Sequence, residues 1–191
     1  MAINNTEIDL QVGKFLVSEP FMLDPNFKRV VILICDHQEK EGTIGFILNK
    51  SVEMNITDLV SNFPDFESEV YFGGPVQTDS IHYIHRVGDL LEGSLEIADG
   101  LWWGGNFEQL KSLVNTGVVK PKDIRFFVGY SGWGEGQLLD EMKAKTWFLL
   151  DSDVNFVFNE KYYETLWKNV LAQAGGTHSI IGQIPEKVCF S

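Results

Sequence analysis

The stretch "GYSGWGEGQLLDEM" (129–142) contains the residue types that catalytic and ligand-binding turns use. Four glycines in eight positions would let another group approach the backbone closely, and Ser131 could act as a nucleophile. A nucleophile elbow reads Gly-x-Ser-x-Gly, but position 133 is tryptophan. The dinucleotide motif Gly-x-Gly-x-x-Gly also fails, because position 139 is leucine. The stretch therefore predicts either a binding turn or an awkward passage from a strand into a helix.

Polar side chains follow these glycines at helical spacing. Gln137 and Glu141 lie four positions apart and share one face of the predicted helix, and Trp133 can lie over the approach to it. Acidic residues crowd the same turn and would repel a phosphate at the helix N-terminus. We predict a shallow polar–aromatic pocket for a neutral or cationic group or a partner side chain, completed by "DPNF" (24–27) and Asn49. The alternative is a glycine-lined corner closed by a packing tryptophan.

The histidines and cysteines do not combine into a metal site. His82 and His85 lie three apart on a predicted strand, so they point to opposite faces. Cys35 and His37 share a face at roughly 6.6 Å, too far for a direct hydrogen bond, and a bridging metal would need further ligands. We predict a buried Cys35 that packs as a small hydrophobe. For His85, a core position with backbone hydrogen bonds is favoured over a functional role.

The segment "FGGPV" (72–76) is a second place where close approach is possible. Gly73 and Gly74 admit a ligand or another backbone, and Pro75 constrains Gly74 toward extended geometry. A tight corner between a strand and a loop explains the same residues equally well.

Composition and charge exclude several classes of protein. The chain has 191 residues, 15 Lys and Arg against 27 Asp and Glu, a net charge of −12 and a pI near 4.7. Direct nucleic-acid binding is therefore not expected, since it depends on basic residues that neutralise phosphates. The N-terminus lacks the pattern of a signal peptide, and the longest apolar run, "VVILIC" (30–35), is too short to span a membrane. With only two cysteines, Cys35 and Cys189, the sequence predicts a cytoplasmic protein with reduced thiols, of which Cys189 near the C-terminus is the reactive one.

The predicted elements come in adjacent strands rather than in strict alternation, which favours an α+β fold with mostly antiparallel pairing in one domain over residues 1–191. Strands are predicted at 12–18, 28–37, 43–49, 69–74, 80–87, 124–129, 146–151 and 154–158, with a hairpin at 93–105. Helices are predicted at 56–63, at 107–116 ended by Gly117, from 136 to 145, and at 163–174 between a cap at Asn159 and a stop at Gly175-Gly176.

Four stretches together resemble the YqgE/AlgH family of bacterial proteins. They are "GKFLVSEPFMLDPNFKRVVILICDH" (13–37), "GTIGFILNK" (42–50), "YFGGPVQTDSIHYIH" (71–85) and "VGYSGWGEGQLLDEMKAKTWFL" (128–149). The match runs over nearly the whole chain in order, and the combination of Gly-Gly-Pro-Val with Gly-Trp-Gly-x-Gly-Gln-Leu is specific. The resemblance implies a single compact domain with a strongly curved, barrel-like sheet flanked by helices, and a cytoplasmic protein. It also implies a role in transcriptional regulation, without an established activity or cofactor.

The motif positions of that family fall on Pro20, Asp24, Phe27, Gly45, Asn49, Gly73, Gly74, Pro75, His85, Gly129, Trp133, Gly134, Gly136, Gln137, Leu138, Glu141 and Trp147. The chain departs from the pattern at Leu139, where the family usually has Glu, and at Ser131 and Lys50-Ser51. An acid–base role at position 139 is therefore not available, which weakens any enzyme mechanism that needs two carboxylates on that helix.

We therefore expect a regulatory module that acts by binding a protein partner or a small polar ligand. The binding candidates are Asp24, Asn49, Gly73, Gly74, Pro75, His85, Tyr130, Trp133, Gln137 and Glu141. The alternative is a small enzyme that uses Asp24, Asn49, His85 or Glu141 as acid–base groups in a pocket, with no cofactor and no metal. Converging polar side chains would favour the enzyme, and dispersed ones the module.

Overall fold

A computed structural model describes residues 8–159 and 163–186. In this part of the chain, ten strands and six α-helices follow one another. The strands are β1 (Phe15–Ser18), β2 (Val31–Gln38), β3 (Gly42–Ile47), β4 (Ser51–Asn55), β5 (Glu69–Phe72), β6 (Val76–His85), β7 (Leu95–Ala98), β8 (Leu101–Trp103), β9 (Ile124–Trp133) and β10 (Trp147–Leu150). The helices are α1 (Ile56–Leu59), α2 (Phe107–Asn115), α3 (Gln137–Lys143), α4 (Val154–Phe158), α5 (Leu166–Ala174) and α6 (Gly176–Gly182).

The strands form one mostly antiparallel sheet. Its main path runs β10-β1-β2-β3-β9-β6-β8-β7, and β5 and β4 branch from β9. Of the described pairs only β5 with β9 is parallel. The expected α+β fold is thus confirmed, but the barrel-like, strongly curved sheet is not supported. A barrel requires every strand edge to be paired, whereas among the described residues β10 pairs only with β1, and β7 only with β8.

β9 is the strand that connects the parts of the sheet. Its first half lies between β5 and β6, and its last residues, Ser131 to Trp133, pair with β3. Four of its first five residues are buried, as expected for a strand covered on both faces. β9 therefore carries the glycine-rich stretch from the middle of the sheet to the N-terminus of α3.

Three apolar clusters cover the sheet. Helix α5 packs Leu166, Trp167, Val170 and Leu171 against residues of β1, β2 and β3. Helix α2 contributes Leu110 and Val114 to a second cluster, and α3 contributes Leu138 to a third. Each fully buried aliphatic side chain contributes roughly 1.5–3 kcal/mol relative to exposure. The apolar residues that recur at helical spacing in the sequence therefore hold the helices against the sheet by being buried there.

Several elements differ from the sequence-based expectation. The segment 154–158, predicted as a strand, is helix α4, because the Asp153 carboxylate accepts a hydrogen bond from the Asn155 N–H at 2.8 Å and caps it. Helix α5 ends at Ala174 as predicted but begins at Leu166, with Thr165 rather than Asn159 at its cap position. Strand β4 and helix α6 were not predicted. Cys189 lies outside the described residues.

Where the chain is described, none of its helices combines the length and the apolar character that crossing a membrane requires.

Candidate functional site

The first half of the glycine-rich stretch is strand rather than turn, since β9 extends to Trp133. Gly74 and Gly129 face each other here. An added Cβ at Gly129 would lie 2.5 Å from the Gly74 carbonyl oxygen, and one at Gly74 would lie 2.3 Å from the Ser131 nitrogen. Both residues also have a positive φ, which is +64° at Gly129 and +153° at Gly74. The group that approaches these glycines is therefore the backbone of the same chain, in a corner between strand and loop.

Hydrogen bonds hold this corner closed. The Gly73 carbonyl accepts from the Ile47 N–H at 2.9 Å and from the buried Ser131 hydroxyl at 3.0 Å. The Ser131 hydroxyl thus serves as a structural donor rather than as a nucleophile. Tyr130 is half-buried and packs edge-on against His82, with ring centroids 5.9 Å apart. Gly73, Gly74 and Tyr130 therefore lie in a packed corner, whereas Pro75 next to them is exposed.

Glu141 collects three N–H donors. Its Oε2 accepts from the indole nitrogens of Trp133 at 2.9 Å and Trp147 at 2.8 Å, and its Oε1 accepts from the Gln137 amide at 2.9 Å. Phe27 packs against both indoles, at centroid distances of 6.3 and 5.6 Å. The two tryptophans are 6% and 4% exposed. The structure thus brings three of the predicted binding candidates together, Trp133, Gln137 and Glu141, but it engages their polar atoms with one another.

The Gln137 side chain is also engaged at its other end. Its Oε1 accepts from the Gly134 N–H at 3.0 Å. The Gln137 side-chain amide thereby joins the turn before α3 to the carboxylate of Glu141. The predicted pocket at Gln137 and Glu141 is instead occupied by the hydrogen bonds that these two side chains make.

Asp24 and Asn49 stabilise loops. The Asp24 carboxylate accepts from the Asn26 N–H at 2.8 Å, the geometry of an Asx turn. Asn49 accepts from the Val31 N–H at 3.0 Å and donates to the Arg29 carbonyl at 2.9 Å, so it fixes the start of β2. These side chains position the 24–27 loop and its neighbour, and their described hydrogen bonds run to backbone rather than to Glu141.

His85 is fully buried. Its Nδ1 accepts from the Val87 N–H at 3.3 Å and its Nε2 lies 2.8 Å from the Gly104 carbonyl, so the hydrogen-bond network assigns the proton to Nε2. Burial lowers the pKa of His85, and the hydrogen bond to Gly104 opposes part of that shift. These contacts agree with a core histidine bonded to backbone.

Cys35 is buried, and its Sγ lies 3.6 Å from the Leu33 carbonyl. Burial raises the pKa of its thiol, and the adjacent Asp36 carboxylate raises it further. His37 bonds the Thr43 hydroxyl at 2.8 Å rather than the cysteine. Cys35 therefore packs as a small hydrophobe, as the sequence predicts.

Sequence reasoning missed a buried cation, Arg125, which is 2% exposed. It donates to the carbonyls of Val157, at 2.6 Å, and Leu48. Its guanidinium packs against the rings of Tyr71 and Tyr163, at 3.9 and 4.0 Å from their centroids. The arginine therefore joins β9 to α4 and to the end of β3. Its signal in the sequence, one charge at the start of an apolar strand, is indistinguishable from that of a surface arginine.

A large cavity lies beside this region, and we call it the hairpin cleft. It is lined by Ile8, Asp9, Leu10, His37, Gln38, Glu39, Lys40, Gly42, Thr43, Gly134, Glu135, Gly136, Leu138, Leu139 and Lys143, with a volume of about 1010 Å³. It lies between the β2–β3 hairpin and the turn into α3. From the stretch 129–142, the cleft is lined by the glycine turn and by Leu138 and Leu139, whereas Gln137 and Glu141 do not line it. The sequence signal at the hairpin, "HQEKEG" (37–42), reads as an ordinary polar connection.

Comparison with known proteins extends over nearly the entire chain. A protein-family model described as AlgH-like matches residues 15–179. A UPF0301 protein of Chlorobium limicola is 43% identical over 177 residues, covering 93% of this chain and 94% of the relative. A UPF0301 protein of Chlorobaculum tepidum is 43% identical over 183 residues and covers 96% of each chain.

Solved structures agree with these sequence matches. The solution structure of the AlgH protein from Pseudomonas aeruginosa aligns with a TM-score of 0.71 at 26% identity, covering 91% of this chain and 93% of that one. A crystal structure of a Corynebacterium diphtheriae protein shows the same fold, with a TM-score of 0.72 at 21% identity over 92% and 93% of the two chains. This chain therefore belongs to the AlgH-like family of UPF0301 proteins.

Proposed function

We propose that this AlgH-like protein is a non-enzymatic regulatory module that binds a small polar ligand with both positive and negative groups in the hairpin cleft. The observation that carries the proposal is the cleft itself. Its volume of about 1010 Å³ reaches the upper end of the range for small-molecule sites, about 300–1,000 Å³. Its walls carry charges of both signs.

The charges on the walls indicate the ligand chemistry. Lys40 and Lys143 can meet a carboxylate, and Asp9, Glu39 and Glu135 can meet an amine. Because carboxylates outnumber ammonium groups here, a polyphosphate would be repelled. A zwitterion such as a free amino acid or a short peptide matches both signs.

The ion pair of Lys143 does not block this assignment. Its Nζ lies 3.0 Å from Asp140, and the two side chains are 67% and 78% exposed. Exposed pairs of this kind contribute at most about 1 kcal/mol. The ammonium can therefore exchange Asp140 for a ligand carboxylate at little cost.

The positions of the four acid–base candidates favour the module over an enzyme. Asp24 and Asn49 bond loop backbone, His85 bonds the Gly104 carbonyl, and Glu141 accepts from two indoles. Catalysis would require such groups to converge on a shared cavity. None of the four lines the hairpin cleft.

Regulation of transcription, which the family resemblance implies, would then proceed without a direct hold on DNA. The net charge of −12 repels phosphate. The negative charge and the mixed-charge cleft together support indirect regulation. A bound ligand or a protein partner, rather than contact with DNA, would then transmit the signal.

Amide chemical shifts of the isotope-labelled protein test the proposal. Pools of the twenty free amino acids and of dipeptides, at about 1 mM each, are added and the spectra recorded. We expect at least one pool to move the amides of Gly42 and Gly136. Leu139→Trp, which fills the cleft, should abolish that shift, while Leu90→Trp at an exposed position elsewhere should preserve it. Pools that move no cleft amide, or equal behaviour of the two variants, would contradict the proposal.

A further inference from the structure

A second cavity lies on the opposite part of the sheet, between the middle of β6 and the β7–β8 hairpin. We call it the β6 groove. It is lined by Ile81, His82, Tyr83, Gly93, Leu95, Trp103, Gly104, Gly105 and Phe107 and has a volume of about 400 Å³. Five of these residues are aliphatic or aromatic and three are glycines, so its wall is largely apolar. Leu95 is 59% exposed and presents apolar surface at its rim.

A free strand edge forms one side of the groove. β8 pairs with β6 only at Ile84 and His85, and the last bond of this ladder runs from the Gly104 N–H to the Tyr83 carbonyl at 3.0 Å. Backbone groups of alternate strand residues point to the same edge. The N–H and carbonyl of Ile81 therefore point toward the groove, beyond the place where β8 has ended. Among the described strands none pairs with that edge of β6 at Ile81.

The surroundings of the groove are strongly acidic. Residues 87–110 contain no lysine or arginine. They contain five carboxylates, all on exposed residues: Asp89, Glu92, Glu96, Asp99 and Glu108. Glu108 is paired with Lys111 at 2.7 Å, which leaves four carboxylates for a partner. This charge is carried by the segment that supplies six of the nine lining residues, and it attracts a basic partner and repels an acidic one.

We propose that the β6 groove binds an extended segment of another protein, in which apolar residues alternate with lysine or arginine. The segment pairs with β6 beside Ile81, continuing the line of β8. Its apolar side chains enter the groove against Leu95 and Trp103, and its basic side chains meet the acidic rim. Strand addition of this kind derives affinity from main-chain hydrogen bonds and specificity from the pockets for alternate side chains.

Charge argues against two other occupants. A second copy of this chain would bring a net charge of −12 toward five carboxylates. An anionic membrane surface would be repelled in the same way. A basic extended segment is the occupant that satisfies the free backbone edge, the apolar wall and the acidic rim together.

Synthetic peptides test the proposal on the full chain. The probe is a fluorescein-labelled octapeptide that alternates lysine and valine. One matched peptide carries glutamate in place of lysine, and another carries proline in place of a central valine, which removes one ladder donor. We expect the lysine–valine peptide to bind at least tenfold more tightly than either control. Its affinity should fall as sodium chloride rises from about 50 to 300 mM.

Two protein variants with the same added charge locate the binding. Leu95→Lys should weaken the lysine–valine peptide at least tenfold, whereas Leu23→Lys, at a leucine that is 96% exposed elsewhere, should leave its affinity within about twofold. Glu96→Gln, which keeps the packing of β7, should weaken it severalfold and guards against a folding defect in Leu95→Lys. Circular dichroism confirms that each variant is folded.

Several results would overturn the proposal. They are equal losses in the two lysine variants, equal affinity for the proline peptide, and no saturable binding up to about 1 mM. A dimer in sedimentation equilibrium that Leu95→Lys dissociates would assign the groove to a second copy and would overturn it as well. None of these results bears on ligand binding in the hairpin cleft, which lies on other residues.

Discussion

The indole nitrogen of Trp133 donates a hydrogen bond to Oε2 of Glu141 at 2.9 Å, and the same oxygen accepts from Trp147. A carboxylate on α3 thus satisfies the N–H groups of two buried tryptophans that end β9 and begin β10. This bond makes the glycine-rich turn a structural closure between strand and helix.

Replacing Glu141 by alanine should therefore destabilise the fold. Two buried indole N–H groups lose their acceptor, and each unsatisfied donor costs about 1–3 kcal/mol, so we expect a loss of roughly 2–4 kcal/mol in the free energy of unfolding. Gln137→Ala, at an exposed side chain, should cost about 1 kcal/mol or less. Urea denaturation followed by tryptophan fluorescence measures both, with Asp140→Ala as the control for a carboxylate on the same helix. An unchanged midpoint for Glu141→Ala would show that the carboxylate is available for binding instead.

Gly129→Ala should be severely destabilising because the new Cβ would lie 2.5 Å from the Gly74 carbonyl oxygen at a φ of +64°. Backbone strain and overpacking each contribute about 1–3 kcal/mol, so we expect a loss of about 3 kcal/mol or more. The matched control is Gly134→Ala, whose nearest neighbour would be a side-chain oxygen at 4.0 Å. Thermal unfolding compares the two, and a similar melting temperature would refute the close packing of this corner.

The stability of the protein should fall between about pH 7 and pH 5, partly through His85. Its pKa is lowered in the folded state because of burial, so below the unfolded value of about 6.5 the unfolded chain binds a proton that the native chain does not. This contribution is complete above pH 6.5 and is lost as the pH falls, by up to about 1.4 kcal/mol per pH unit. Protonation of His85 in the folded protein would also place a proton on Nδ1, where it would face the Val87 N–H and remove that hydrogen bond.

Urea titrations at pH 7.0, 6.0 and 5.5 measure this dependence. His85→Gln should be less stable at pH 7 and should show a flatter profile. The half-buried His82, whose pKa burial also lowers, keeps part of the slope in that variant. An unchanged slope would mean that His85 binds a proton as readily in the native protein as in the unfolded chain.

Cys35 should resist thiol reagents in the folded protein, because it is 4% exposed and its pKa is raised by burial. In a Cys189→Ser variant, Cys35 is the remaining thiol. We expect dithionitrobenzoate to label it at least a hundredfold more slowly in buffer than in 6 M guanidinium chloride. Equal rates would place Cys35 at the surface.

Purified protein should not retard generic duplex DNA at about 150 mM salt, because its net charge of −12 opposes phosphate. An electrophoretic mobility assay with a 30-base-pair duplex checks this. Tight binding that weakens steeply with salt would show a concealed basic surface.

Elements whose signals are local were predictable. The run Val31 to Cys35 reads as a buried strand because five consecutive apolar residues need burial whatever surrounds them. Helix α2 begins after Asn106, whose side chain accepts from the Gln109 N–H at 3.0 Å, and its C-cap, Thr116, precedes Gly117. In both cases the determining contacts lie within a few residues, so the sequence contains them.

The site could not be read from the sequence in the same way. Glu141 and Gln137 do share a helix face, but the partners of Glu141 include the indole of Trp147. That indole is in turn packed by Phe27, which lies more than a hundred positions earlier in the chain. The cleft depends on how the charged hairpin at Glu39 and Lys40 lies against the turn at Gly134. Helix α4 shows that prediction of elements is limited in the same way. Its apolar segment suits a strand, but it is a helix because Asp153 caps it.

The sequence by itself determined the family, the mixed α+β character, the acidic charge that opposes DNA binding, and the burial of Cys35. The tertiary structure decided which polar groups are already bonded and which remain accessible. The reason is that a continuous run of apolar residues favours burial through its own composition, whereas the partner of Glu141 or of the Gly129 backbone is set by long-range packing.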